Sequence, residues 1–201
     1  TSGDTGKAAL SGFRDVDRTG IAVFYPEGKV SQIQYRQMAT QQGSNVKVFA
    51  VRGNFDDAQS AVKQLFLDED LGQWAAGQNI RLSSANSINV GRLVPQVVYY
   101  FEAWKQLVNQ GVIGRDDKVS FSVPTGNFGD VLAGYYAYRL GLPVKKFVVA
   151  SNANNVLTEF ITTGVYDRNR PFVKTISPSM DILISSNLER LLYYMTDGNT
   201  E

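Results

Sequence analysis

Ser122-Val123-Pro124-Thr125-Gly126-Asn127-Phe128-Gly129-Asp130 joins a short β-leaning run, residues 119–123, to a helix-like run, residues 131–140. Strand, glycine turn and helix start form the architecture that turns backbone N–H groups toward an anion. Gly126 and Gly129 carry no Cβ, so a phosphate can approach the backbone closely there. The turn lacks the third glycine of a dinucleotide fingerprint, and no Lys-Ser/Thr follows it as in a Walker loop. A plainer reading stands beside anion binding: a strand-to-helix turn with Asp130 as the N-cap.

The same alternation runs outward from this stretch in both directions. Asp4 is placed to cap a helix over residues 5–13, and residues 21–25 read as a buried strand ended by Pro26. Ser31 caps a helix over residues 32–41, residues 46–51 form the next strand, and Asn54 opens a helix that runs to Phe66 with acids in its first turn. Residues 80–84 read as a short strand. Residues 93–110 read as a long amphipathic helix with Pro95 in its first turn and Gly111 at its end. Residues 146–150 read as a strand, and residues 155–163 and 181–195 as helices. Tyr99, Tyr100, Phe101 and Trp104, and likewise Tyr135, Tyr136 and Tyr138, are expected in the core or at a lobe interface. Asp68-Glu69-Asp70 is expected to be a solvated turn. Strands separated by helices predict an α/β fold with doubly wound, mostly parallel sheets. Ligands of such sheets gather at the carboxyl ends of the strands. The polar segment 83–92 marks a lobe boundary, with residues 1–88 assigned to a smaller lobe and 89–201 to a larger one.

Composition narrows the chemistry. The 201 residues are 43% hydrophobic, enough for one sizeable core or two smaller lobes. The 20 basic and 19 acidic residues are well mixed, and the net charge of +1 gives no basic face for nucleic acid. With no cysteine and no histidine, the chain has no disulfide, no thiolate metal site and no serine–histidine catalysis of its own. No apolar run reaches the length of a membrane span and no signal peptide opens the chain, so a cytoplasmic origin is expected. The first residue is not Met, and Thr1-Ser2-Gly3-Asp4-Thr5-Gly6 is already a dense turn motif. A piece of a longer protein is the expectation.

Two further turns have chemistry. Residues 1–6 offer hydroxyls, glycines and a helix N-terminus, suited to a carboxylate or phosphate; the alternative is an Asp4-capped helix with local hydrogen bonds. In Ser84-Ala85-Asn86-Ser87-Ile88-Asn89-Val90-Gly91-Arg92, asparagines and serines cluster beside an arginine at a helix start. Arg92 can hold a phosphate or carboxylate bidentately, and Asn86 and Asn89 can both donate and accept. The alternative is a solvated loop with Asn89 as a helix cap.

Residues 1–13 (TSGDTGKAALSGF), 53–59 (GNFDDAQ), 84–92 (SANSINVGR), 124–130 (PTGNFGD) and 177–192 (SPSMDILISSNLERLL) together resemble, in this order, the threonine synthase family, in its bacterial branch. The resemblance covers nearly the whole chain. It implies a tryptophan-synthase β-like fold, fold type II of the pyridoxal-phosphate enzymes, present here incompletely. It implies pyridoxal 5'-phosphate as cofactor and conversion of O-phospho-L-homoserine and water to L-threonine and phosphate, by γ-elimination and β-addition of water. Gly126, Asn127, Phe128, Gly129 and Asp130 match the loop that cups the cofactor phosphate. Ser2, Gly3, Asp4 and Thr5 match the mobile loop facing substrate or cofactor, and Asn86, Ser87, Asn89 and Arg92 match the segment near the substrate phosphate. The family's Schiff-base lysine lies upstream of the first motif; Lys7 does not match it. The isolated chain is therefore expected to be inactive. The alternatives are another lyase of the same fold, such as a serine or threonine dehydratase or cysteine synthase, and a non-catalytic phosphate-binding module.

Overall fold

A computed structural model describes residues 3–199 and divides the chain into two compact units, Thr1–Asn86 and Ser87–Glu201. Each unit is built on one pair of parallel strands joined through a helix, the βαβ arrangement.

In the first unit, α1 (Gly3–Gly12) leads to β1 (Ile21–Pro26), α2 (Gln32–Ala39) and β2 (Val46–Val51). β1 and β2 run parallel, in register from Ile21 opposite Val46 to Pro26 opposite Val51. Leu10, Val23, Tyr25, Val30, Met38 and Val46 form the core between helices and strands. Ser31 starts α2 with a full capping box, its hydroxyl accepting from the Gln34 N–H while the Gln34 side chain accepts from the Ser31 N–H. Asn54 and Asp57 repeat the device at the start of α3 (Phe55–Leu67).

Three expectations for this unit are corrected. Asp68-Glu69-Asp70 is a helix start: Asp68 Oδ1 accepts from the Leu71 N–H and opens α4 (Glu69–Gly77). Residues 80–84 are not a strand. Asn79 takes left-handed φ of 58°, and the Ile80 N–H reaches back to the Ala75 carbonyl at 2.8 Å. Ile80 thus finishes a Schellman-type close of α4 and does not pair with a strand. Asp4 lies in the first turn of α1 and not at its cap, because the helix already begins at Gly3.

In the second unit, α5 (Val90–Leu93), a 3₁₀ turn (Val94–Gln96) and α6 (Val97–Asn109) replace the single helix expected over residues 93–110. Pro95 has no N–H to donate, so the hydrogen-bond ladder changes there. β3 (Val119–Pro124), α7 (Gly129–Arg139) and β4 (Val144–Ala150) follow, with β3 and β4 parallel. α8 (Val156–Thr163) and α9 (Leu188–Met195) complete the unit. The core gathers Leu93, Tyr100, Val123, Phe128, Val131, Leu132, Leu142, Leu157 and Leu188 around α7. Tyr100 is buried and Phe101 and Trp104 pack against this core, whereas Tyr99 and Tyr138 are exposed. The helix expected over residues 181–195 begins only at Leu188. The residues before it are held by tertiary hydrogen bonds described below. Among the described residues no helix is long and apolar enough to cross a membrane.

Candidate functional site

The glycine turn lies where the chain leaves β3 for α7. The Thr125 N–H donates to the Ala150 carbonyl at 2.8 Å, extending the β3–β4 pairing by one residue. The Phe128 N–H then closes the turn onto the Thr125 carbonyl at 2.8 Å. Gly126 has φ of 43° and Phe128 φ of 64°, both left-handed. Gly126 meets this requirement without strain, but Phe128 pays roughly 1–2 kcal/mol for it. Its ring is 2% exposed, and burial of a phenyl group contributes about as much or more in return. A strained, non-glycine residue at a turn of this kind is characteristic of functional sites.

Phe128 occupies the N-cap position of α7 and supplies no side-chain cap. Asp130 therefore stands in the first turn, not at the cap. The amide end of α7 carries the positive pole of the helix dipole without a capping oxygen from its cap residue. That arrangement suits a phosphate group, which supplies several acceptor oxygens at once. Asp130 Oδ1 is buried without a hydrogen-bond partner, and burial raises the pKa of this carboxyl group. The Asp130 carbonyl accepts from the Tyr100 hydroxyl at 2.7 Å, fixing α7 to α6.

The polar segment divides at the unit boundary. Asn86 belongs to the first unit, where its Oδ1 accepts from the Ser84 hydroxyl at 2.8 Å. Ser87, Asn89 and Arg92 belong to the second. Asn89 caps α5 through its side chain, which accepts from the Gly91 N–H at 2.9 Å. Its role as a cap was one of the two sequence readings. Arg92 is half-buried on α5, and desolvation pulls its pKa down. A buried guanidinium gains more from a bound anion than an exposed one does. Ser87 packs against the turn: a Cβ on Gly129 would sit 3.5 Å from the Ser87 Cβ and 3.5 Å from Asn187 Nδ2.

Of the first motif, Ser2 lies outside the described residues. Gly3, Asp4 and Thr5 form the N-terminal turn of α1 in the first unit, and Asp4 Oδ1 accepts from the buried Gln34 side chain at 3.2 Å. The second unit therefore brings together Ser87 and residues 126–130, with Arg92 on the adjoining α5. Four residues that bond this turn or the adjoining Ser87–Ile88 backbone are not singled out by the sequence. The Gly126 N–H donates to Met180 Sδ at 3.3 Å, the Ser185 hydroxyl to the Gly126 carbonyl at 3.0 Å, and Asn187 Nδ2 to the Asn127 carbonyl at 3.1 Å. Arg190 bonds the backbone of Ser87 and Ile88. The available signal was the motif at residues 177–192, which contributed to the resemblance without a role being attached to it.

No family model matches the chain. Individual proteins do. Threonine synthase-like 1 of Mus musculus is 49% identical over 98% of this chain, and the threonine synthase of Pseudomonas aeruginosa is 47% identical over 99% of it. The chain spans 27% and 40% of the lengths of these two relatives. Among solved structures, PLP-bound threonine synthase from Brucella melitensis matches 99% of the chain at 45% identity with a TM-score of 0.78, the chain covering 40% of it. The Escherichia coli threonine synthase matches 99% of the chain at 36% identity with a TM-score of 0.82, the chain covering 44% of it. Sequence and fold agree along nearly the whole chain: it belongs to the threonine synthase family and carries part of that family's tryptophan-synthase β-like fold.

Proposed function

We propose that this chain forms part of a pyridoxal-phosphate-dependent threonine synthase, a carbon–oxygen lyase that converts O-phospho-L-homoserine and water to L-threonine and phosphate. The observation that carries the cofactor assignment is the amide end of α7, reached through the left-handed residues Gly126 and Phe128 and given no cap by Phe128. Gly126, Asn127, Phe128, Gly129 and Asp130 would hold the cofactor phosphate there. Pyridoxal phosphate, when bound, supplies an electron sink for negative charge on the substrate carbons. The chain's own contribution is binding and orientation. Backbone amides and the dipole of α7 hold one phosphate, and the substrate phosphate is assigned to Arg92 with Ser87, Asn89 and Asn86 near it. Gly3, Asp4 and Thr5, with Ser2 before them, are assigned to the face of the substrate or cofactor. The assignment of residues 84–92 to a substrate phosphate is what separates this reading from a dehydratase, whose substrates carry none, and the similarity to threonine synthases supports it.

Arg92 gives the direct test. In the intact protein, Arg92→Ala raises KM for O-phospho-L-homoserine by roughly tenfold to a hundredfold, the range expected for one charge-assisted contact. Competitive inhibition by inorganic phosphate weakens in proportion. Unchanged inhibition by phosphate in this variant would remove Arg92 from the substrate site.

A further inference from the structure

Residues 185–190 (SSNLER) join the two phosphate loops of the second unit through four hydrogen-bonding groups. The Ser185 hydroxyl donates to the Gly126 carbonyl at 3.0 Å. Asn187, 1% exposed, donates twice to the Asn127 carbonyl, from its backbone N–H at 3.0 Å and from Nδ2 at 3.1 Å. Arg190 spreads its guanidinium over the other loop, with Nη1 3.2 Å from the Ser87 carbonyl and Nη2 2.7 Å from the Ile88 carbonyl. Nη1 also donates to Asn187 Oδ1 at 2.8 Å, which closes the connection between the loops.

These bonds control more than the carbonyls they reach. In a planar trans peptide the C=O and the following N–H point in opposite directions. Capture of the Gly126 carbonyl therefore turns the Asn127 N–H away from Ser185. Capture of the Ser87 and Ile88 carbonyls turns the Ile88 and Asn89 N–H groups away from Arg190. The Gly126–Asn127 peptide most needs such a lock, because Gly126 has no Cβ to restrict it. Among the described residues Arg190 forms no ion pair, so its charge adds positive potential at both loops.

We propose that Ser185, Asn187 and Arg190 are positioning residues that lock the peptide planes of the cofactor-phosphate turn and the substrate-phosphate loop in one shared geometry. This rests on the phosphate assignments made above. None of the three need touch either ligand; they act through the backbone of residues 87–88 and 126–127.

The test uses the intact protein reconstituted with cofactor. Ser185→Ala weakens affinity for pyridoxal phosphate about tenfold and leaves affinity for pyridoxal, which has no phosphate, unchanged. Arg190→Lys keeps the charge but loses the fork, and raises KM for O-phospho-L-homoserine about tenfold while kcat stays within about threefold. Equal loss of pyridoxal phosphate and pyridoxal binding in Ser185→Ala, or an unchanged KM in Arg190→Lys, overturns the proposal. Ser185→Ala removes a single atom and keeps the question open to measurement should Arg190→Lys fold poorly. Failure of the underlying reading looks different: the unmodified protein would then bind pyridoxal as tightly as pyridoxal phosphate and resist inhibition by inorganic phosphate.

Discussion

Asp181→Ala is expected to cost the second unit about 3 kcal/mol of stability. Asp181 is 6% exposed, and its carboxylate is surrounded by donors. Asn152 Nδ2 at 2.7 Å, Thr175 Oγ1 at 2.7 Å and Asn154 Nδ2 at 3.2 Å all donate to Oδ1, and the Thr175 N–H donates to Oδ2 at 2.9 Å. Truncation leaves these donors facing a void. Asn152 and Asn154 retain second acceptors in the Ser177 hydroxyl and the Val173 carbonyl. The Thr175 N–H has no such reserve in these contacts, and the loss of its acceptor in this partly buried position is the largest part of the cost. Asp181→Asn keeps the shape but turns one NH₂ group against a donor, so it costs less than Asp181→Ala and more than nothing. Urea unfolding followed through Trp104, with Trp74 replaced by Phe, reads this unit by itself. A loss below about 1 kcal/mol for Asp181→Ala would show that the carboxylate does not hold the segment. The consequence reaches the site, because Met180 beside Asp181 carries the sulfur that accepts the Gly126 N–H.

The contrast between Asp181 and Gly126 shows what sequence can reveal. The strand–turn–helix at residues 119–140 was legible because each step has a local cause: β-branched and aromatic residues, then two glycines, then a helix-forming run. The structure moves its boundaries by a residue or two, to Val119–Pro124 and Gly129–Arg139. Residues 181–187 failed for the opposite reason. Their apolar positions fit a helix, but Asp181, Ser185 and Asn187 spend their polar groups on residues up to 60 positions away. Such bonds outweigh helix propensity, which is worth only tenths of a kcal/mol per residue. α4 was lost because Asp68 can end a surface turn or cap a helix equally well on local grounds. The choice depends on Ala75, the one buried residue of that helix. The candidate site divides in the same way. Its amide turn was readable from glycines, whereas the side chains that hold the turn in place were visible only as a motif without a role.

Gly134→Val is expected to destabilise the second unit by at least ~3 kcal/mol. At most helical positions glycine costs about 1 kcal/mol against alanine, so replacing it should help. Gly134 is the exception within α7. A Cβ there would lie 2.7 Å from Phe147 Cε1, 2.7 Å from Tyr100 Cζ and 2.8 Å from Tyr100 Cε1, inside any normal contact distance. The rings cannot simply move aside. Tyr100 packs edge-on against Phe121 at 5.0 Å and Phe147 at 6.0 Å, and its hydroxyl holds the Asp130 carbonyl. Asp130 lies one turn before Gly134, so pushing the ring out breaks a bond in the first turn of the same helix. For Gly134→Ala the ~1 kcal/mol of propensity gained is outweighed by up to ~3 kcal/mol of overpacking, a net loss of about 2 kcal/mol. Valine adds two methyl groups to the same clash and loses that propensity gain. The displaced helix also shifts its amide end, so affinity for pyridoxal phosphate falls in Gly134→Ala, whose fold survives. Urea unfolding and cofactor titration on the same variant separate the two effects. A Gly134→Ala protein as stable as the parent would mean that Tyr100 has room to retreat and that α7 is not fixed by this aromatic contact.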